Sequence, residues 1–384
     1  MVYLYNVINC ESHDGIVTLY VFEERSIISV IIYSLFLINR QKSNFMADIN
    51  PSFTETDMTD MVIDLEAVTK TFGDQNAADN LTFKFPKGKI IGLIGPSGSG
   101  KTTTVRLMTG IYHPTKGQIR VLNSDPQSFT QLKREKIGYM TQNFVLYPDL
   151  SIRENLNFAA AIYGLGRWRR SRRIKDLLKF VELDGDSKKL ARNASGGMQR
   201  RLALAASLVH DPDLIFLDEP TAGIDPILRR KFWDHFIELR DQGKTLVITT
   251  QYVNEATYCD LVGVMAEGKL LFLKTPVDLI KSAFGGDVLD LNTPNPLSET
   301  LTRELEALPF ILGKPSYLND GTLRLIVDEA STALPQVINW FKSNGLDLLS
   351  AEEYLPPYDD VFVKLIEDYH ANNMITRLDT GDPA

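Results

Sequence analysis

Short apolar runs alternate with helical stretches from Val62 to about Leu279. Val62–Val68 and Leu81–Phe85 predict strands. Lys89–Ile94 (KIIGLI), Leu214–Leu217 (LIFL) and Thr245–Thr250 (TLVITT) are compact runs rich in Leu, Ile and Val. Such runs suit a parallel sheet covered on both faces. Lys101–Thr109, Ile152–Tyr163, Arg172–Val181 and Arg200–Val209 predict helices. The fold class is therefore α/β, with helices flanking a largely parallel sheet.

Beyond Gly285–Gly286 the pattern changes. Asp287–Leu291 predicts a strand, Pro296–Leu308 a helix, Leu323–Val327 an alternating strand, and Leu334–Ser343 a helix. Asp347–Tyr354 is extended, and a last helix over Asp359–Tyr369 closes the unit. That order reads as β-α-β-β-α-β, the split βαβ pattern of a small α+β domain. The expected division is an N-terminal extension over 1–60, an α/β body over 61–284 and an accessory domain over 285–384.

The extension stands apart in composition. Asp48–Asp60 (DINPSFTETDMTD) is polar and acidic, as a linker is. Ile27–Ile38 (IISVIIYSLFLI) is apolar but too short to span a bilayer, which needs roughly 20 residues. Translation starting downstream at Met46, Met58 or Met61 is preferred over a membrane anchor; the other readings are the apolar region of a signal peptide, against the acids that precede it, and a partly buried helix. A poorly ordered extension is expected in any case.

Charge and cysteine content narrow the chemistry. The formal net charge is -8, which argues against a general nucleic-acid binder. The two cysteines, Cys10 and Cys259, form no CxxC pair, so a reducing compartment fits. Hydrophobic residues make up 44% of the chain, enough to bury a sizeable core.

Gly95-Pro96-Ser97-Gly98-Ser99-Gly100-Lys101-Thr102 matches G-x-x-x-x-G-K-[ST] between a predicted strand and a predicted helix. Glycines let successive backbone N–H groups turn inward on phosphate, and the helix N-terminus aims its dipole there. Lys101 supplies a cation for the β- and γ-phosphates of ATP, and the Thr102 hydroxyl is an oxygen ligand for Mg2+. Thr103 is counted with the nucleotide-binding residues. The Leu214–Leu217 strand ends in Asp218-Glu219, at the sheet edge where open α/β folds bind ligands. Asp218 is expected in the Mg2+ shell and Glu219 as the general base toward water. Ser195-Gly196-Gly197-Met198-Gln199 opens another helix, with Ser195 as a natural N-cap. Its N–H groups make a second anion site, which serves another nucleotide or the same nucleotide from another subunit.

With that S-G-G-[QM] segment ahead of the acidic strand end, residues 62–280 resemble the ATP-binding cassette (ABC) ATPases. The resemblance implies a P-loop NTPase core with a helical subdomain. It implies that Gln142 is the glutamine that touches Mg2+ and water, and that Ala222-Gly223-Ile224-Asp225 crosses a dimer interface. Phe72 would stack on adenine, or is a core phenylalanine. Two cassettes would face head to tail, each ATP lying between Lys101 of one copy and Ser195, Gly196 and Gly197 of the other. Ala194 stands where the family usually has Leu, and Gln251 replaces the switch histidine. Glutamine can hydrogen-bond a γ-phosphate but cannot hold a proton.

The segment Gln251–Ala256 with Cys259-Asp260 is similar to exporter cassettes, and Asp359-Asp360-Val361-Phe362 is similar to the accessory domain of daunorubicin-resistance-like ATPases. Those pair with ABC-2 type permeases. The resemblance thus implies a homodimeric exporter ATPase, peripheral on the cytoplasmic face of the membrane, whose groove near Gln142 and Ile152–Tyr163 receives the permease. Arg167–Arg173 (RWRRSRR) reads first as a solvated face, second as a contact with headgroups or permease. One rival is a non-transport regulatory ABC ATPase; the single cassette and the lack of a heptad run argue against it. Another is a cassette slowed by Gln251, against which Lys101, Asp218 and Glu219 stand intact.

Overall fold

A computed structural model describes residues 60–142 and 146–380, with the backbone of 12–13 and 16–17 and, for 372–380, the backbone only. Residues 1–48 and 49–384 form separate units. In the first, Ser12–His13 pairs antiparallel with Ile16–Val17. Cys10, the Ile27–Ile38 run and nearly all of the expected linker lie outside the described residues.

The body begins with two long strands, β1 (Met61–Phe72) and β2 (Gln75–Pro86), followed by the fully buried β3 (Ile90–Ile94). Helix α1 spans Lys101–Met108, and β4 (Lys116–Val121) and β5 (Ile137–Met140) come next. Three helices follow: α2 (Ile152–Ile162), α3 (Arg167–Phe180) and α4 (Gly196–Leu208). Then come β6 (Leu214–Asp218), α5 (Pro226–Asp241), β7 (Thr245–Thr250), β8 (Leu261–Ala266), β9 (Lys269–Lys274) and α6 (Pro276–Phe284). The main sheet runs β9-β8-β3-β7-β6-β5, parallel except for the β8–β9 hairpin. A second, antiparallel sheet has the order β2-β1-β4.

Alternation along the central strands explains the layering. Ile90 and Ile94 of β3, with Ile215 and Leu217 of β6, face a core shared with α2, α3, α4 and α5. Ile91 and Leu93, with Leu214 and Phe216, face the other core, made with α1 and the antiparallel sheet. Side chains two apart share a face, so a run apolar at every position needs cover on both sides. Helix starts follow local chemistry: Ser151 and Glu154 form a capping box on α2, and Asp225 caps α5 ahead of Pro226.

The C-terminal part folds as β10 (Asp287–Asn292), α7 (Glu299–Glu306), β11 (Ser316–Tyr317), β12 (Leu323–Val327), α8 (Ala330–Ser343) and β13 (Ser350–Tyr354). Its sheet order is β11-β12-β10-β13, antiparallel throughout, which is the split βαβ arrangement. Leu289, Leu325 and Val327 meet Val337 and Phe341 in a core of their own.

Three expectations need revision. Helix α3 begins at Arg167 rather than Arg172, because Gly166 enters in an extended conformation and the arginines are good helix formers. Helix α8 begins at Ala330, four residues ahead of the expected Leu334, and carries Pro335 in its second turn, where the proline has no N–H to donate to the Ser331 carbonyl. The last helix, α9 (Tyr358–Thr380), does not close the C-terminal sheet. Its Val361, Phe362 and Leu365 are buried in the helix-side core of the body, with Leu279 and Ala283 of α6. Among the described residues, no helix is long and apolar enough to cross a membrane.

Candidate functional site

The loop between β3 and α1 closes around a lysine. A Cβ on Gly95 would lie 2.1 Å from the Met265 carbonyl oxygen, and one on Gly100 would lie 2.4 Å from that of Ala77. Gly100 also has φ 98°, which side-chain-bearing residues rarely adopt. Lys101 is buried, and its Nζ donates to the carbonyls of Gly95 and Pro96, both at 2.8 Å, with Ser99 Oγ at 3.4 Å. Pro96, Ser97 and Gly98 form the exposed rim. Burial pushes the Lys101 ammonium below its ordinary value, while Glu219 and Asp218 oppose that shift. The lysine is therefore held inside the loop, not extended into solvent.

The acidic end of β6 lies against the same helix. Asp218 is 1% exposed, and its Oδ1 accepts from Thr102 Oγ1 at 3.0 Å and from Thr249 Oγ1 at 2.6 Å. Its Oδ2 is buried with no hydrogen-bond partner. Glu219 has φ 50°, a left-handed backbone for a residue with a side chain, and strain of that kind concentrates at working sites. That backbone is held on both sides. Its N–H donates to Thr249 Oγ1 at 2.9 Å and to the Thr249 carbonyl at 3.1 Å. Its carbonyl accepts from Arg200 at 2.6 Å. The Gln142 amide donates to Glu219 Oε2 at 2.8 Å.

The remaining predicted residues scatter around this centre. Ser195 caps α4 as its sequence suggests, accepting from the Met198 N–H at 3.3 Å, and Ser195 and Gly196 are exposed. Asp225 caps α5 by accepting from the Leu228 N–H at 3.0 Å. Phe72 is 45% exposed, so it is not a core residue; it meets Tyr112 edge-on at 5.3 Å. Gln251 is exposed beside a cavity of about 320 Å³, also lined by Arg229, Tyr252, Asn254, Tyr258 and Asp359. Within this segment Glu255 is 2% exposed and has Arg229 Nε at 3.7 Å, and Asn254 donates to Asp359 at 2.9 Å.

Sequence reasoning missed Thr249 and Arg200. Thr249 bridges Asp218 to the Glu219 N–H, and Arg200 ties the helix capped by Ser195 to the end of β6. The local signal for Thr249 is weak: it is one of three buried hydroxyls in this strand, with Thr245 and Thr250, and each buried donor needs a partner.

The donor set suits Mg2+. A hydroxyl and a carboxylate are hard oxygen ligands, and the unpartnered Oδ2 of Asp218 is a buried acceptor in need of a cation or a donor. Among the described residues, no group of three or more His, Cys, Asp or Glu converges to hold a metal.

Known proteins match this arrangement. The ABC transporter family matches residues 78–222. The chain is 41% identical over 218 residues to the probable multidrug ABC transporter ATP-binding protein YbhF of Escherichia coli. That match covers 57% of this chain and 38% of YbhF, so the chain spans well under half the length of that relative. It is 38% identical over 246 residues to the Nod factor export ATP-binding protein I of Burkholderia lata, covering 64% of this chain and 80% of that one. Among solved structures, a dimeric post-hydrolysis state of an ATP-binding cassette bound to ADP and Pi aligns with TM-score 0.52 and 27% identity, over 56% of this chain and 98% of the cassette. An ATP-binding subunit of an ABC transporter aligns with TM-score 0.54 and 25% identity, over 58% and 93%.

Proposed function

Because the chain belongs to the ABC transporter ATP-binding proteins, cassettes that bind ATP with Mg2+, we propose that it is the ATP-hydrolysing subunit of an exporter. It works as a head-to-tail homodimer docked on a separate ABC-2 type permease, at the inner face of the membrane. The observation that carries this reading is the convergence of the Lys101 loop, the paired acids of β6 and the Gln142 amide on one point. Relatives in multidrug and Nod factor export support the exporter class.

Each side chain then has a defined task. The N–H groups of Gly98–Thr102 and the α1 N-terminus receive the phosphates, and Lys101 exchanges its loop carbonyls for phosphate oxygens. Thr102 and Asp218 hold the Mg2+, which when bound neutralises charge building on the phosphates. Glu219 accepts a proton from the attacking water, and Gln142 fixes which carboxylate oxygen faces it. Gln251 donates to the γ-phosphate. Ser195, Gly196 and Gly197 close over the ATP of the opposite copy, Asp225 sits at the dimer interface, and Phe72 stacks on adenine. Residues 61–284 form the motor and 285–384 an accessory domain whose last helix is anchored on the motor. Cargo selection belongs to the permease.

Steady-state ATPase activity of wild type, Glu219→Gln and Gln251→His, with size exclusion in ATP, tests the reading. Active wild type, with Glu219→Gln down about 10²–10⁴-fold and trapped as an ATP-bound dimer, is expected. Inactive wild type rescued by Gln251→His would replace it with a cassette crippled at the switch position.

A further inference from the structure

Helix α3 carries a feature that nucleotide chemistry leaves unused. Its buried face is Ile174, Leu177 and Leu178. On the opposite side Trp168, Arg172, Lys175 and Lys179 are all exposed, at spacings of four, three and four. That spacing places them in one line along the helix, about 16 Å long. Arg167 and Arg169 are also exposed beside it, and Asp176 is the one acid of the helix.

The arginines of this helix divide by what they touch. Arg170 folds back on the Leu165 carbonyl at 2.8 and 3.1 Å, and Arg173 reaches the Leu208 carbonyl at 2.9 Å and Asp211 at 3.3 Å. Those two hold the subdomain together. Among the described residues, Arg167, Arg169, Arg172, Lys175 and Lys179 form no ion pair, although the chain carries a net charge of -8. The first turn has no acid, so Arg167, Arg169 and Arg170 sit at the positive end of the helix dipole, where cations are unfavourable. Trp168 is 93% exposed, the largest value among the exposed large apolar side chains. An indole standing in water inside a cationic stripe contributes nothing to the folding of its own domain.

We propose that this face of α3 is a docking surface for an anionic phospholipid bilayer. Lysines and arginines lie against the headgroup layer, and Trp168 enters the interfacial region, where an amphipathic ring is most favourable. The exposed residues stand in a line along one helix face, which fits a sheet of headgroups better than a single small anion. Stripe charge and headgroup charge are complementary, while the acidic remainder of the protein holds the chain to one orientation.

The test is co-sedimentation of the full chain with vesicles of phosphatidylcholine alone or with one quarter phosphatidylglycerol, at 50 and 300 mM salt. Binding is expected only with phosphatidylglycerol, and weaker at the higher salt. Each neutralised cation is expected to weaken it about fivefold, so R172Q/K175Q/K179Q together lower it about 100-fold. A blue shift of tryptophan emission on binding should vanish in Trp168→Phe, since of the other two tryptophans Trp233 is fully buried and Trp340 packs against the C-terminal core. ATPase activity in solution should be unchanged in these variants, which shows that the motor is intact. Equal binding to both vesicle types, no binding at 50 mM salt, a triple variant that binds like wild type, or a preference for duplex DNA over the vesicles would each overturn the proposal.

Discussion

Thr249→Val isolates the contact that sequence alone did not reveal. The Thr249 hydroxyl donates to Asp218 Oδ1 at 2.6 Å and accepts from the Glu219 N–H at 2.9 Å. Valine keeps the branched shape in a strand that is buried at every position, so packing changes little. The Glu219 N–H keeps the Thr249 carbonyl at 3.1 Å, so it is not orphaned. Asp218, 1% exposed, keeps Thr102 and loses one of its two donors, while its other oxygen has none to begin with. Hydrogen bonds to charged groups contribute about 1.5–3 kcal/mol, so Thr249→Val should cost about that much. Groups that orient a metal ligand also matter to function, and a drop of about 10–100-fold in Mg2+-dependent ATPase activity should accompany it. Urea unfolding followed by circular dichroism measures the first and a coupled ATPase assay the second. Thr249→Ser, which restores the hydroxyl, should recover most of both. Thr249→Val within about 0.5 kcal/mol of wild type and fully active would refute the bridging role.

Three further outcomes follow from the same contacts. Gly100→Ala forces a Cβ to 2.4 Å from the Ala77 carbonyl at φ 98°, so thermal melting should show a loss above about 2 kcal/mol together with loss of nucleotide binding. Arg229→Met leaves the Glu255 carboxylate buried without its cation, at a cost of about 3–5 kcal/mol; adding Glu255→Gln should recover much of it, and a double-mutant cycle measures the coupling. Burial, aided by Arg173, lowers His210 from its ordinary value near 6.5, against the opposing pull of the Ile137 carbonyl, Asp211 and Glu135. Its folded form therefore takes up a proton later than the unfolded chain as pH falls, so its stabilising contribution is present above 6.5 and is lost as pH drops from there through the lowered value. The decline in unfolding free energy between pH 7.5 and 5.5 should be shallower in His210→Gln.

Several features were legible in sequence because they are local. The Gly95–Thr102 motif, the apolar run ending in Asp218-Glu219, the Ser195 cap and the C-terminal β-α-β-β-α-β order depend on backbone geometry and periodicity within a few residues. Boundaries were less legible, as the early starts of α3 and α8 show, since propensity and tertiary contact overrode the apolar pattern there. The site itself was legible in type but not in wiring. That Thr249 clamps Asp218, that Arg200 holds the Glu219 carbonyl, and that Gln142 meets Glu219 depend on β6 lying between β7 and β5. So does the return of α9 to the motor depend on which apolar face remained uncovered after the sheet had formed. The sequence by itself determined which residues can do phosphate chemistry, because motif and hydropathy are properties of neighbours along the chain. Only the tertiary structure decided which partners hold them, because strand order and side-chain pairing are set by long-range packing that no local pattern encodes.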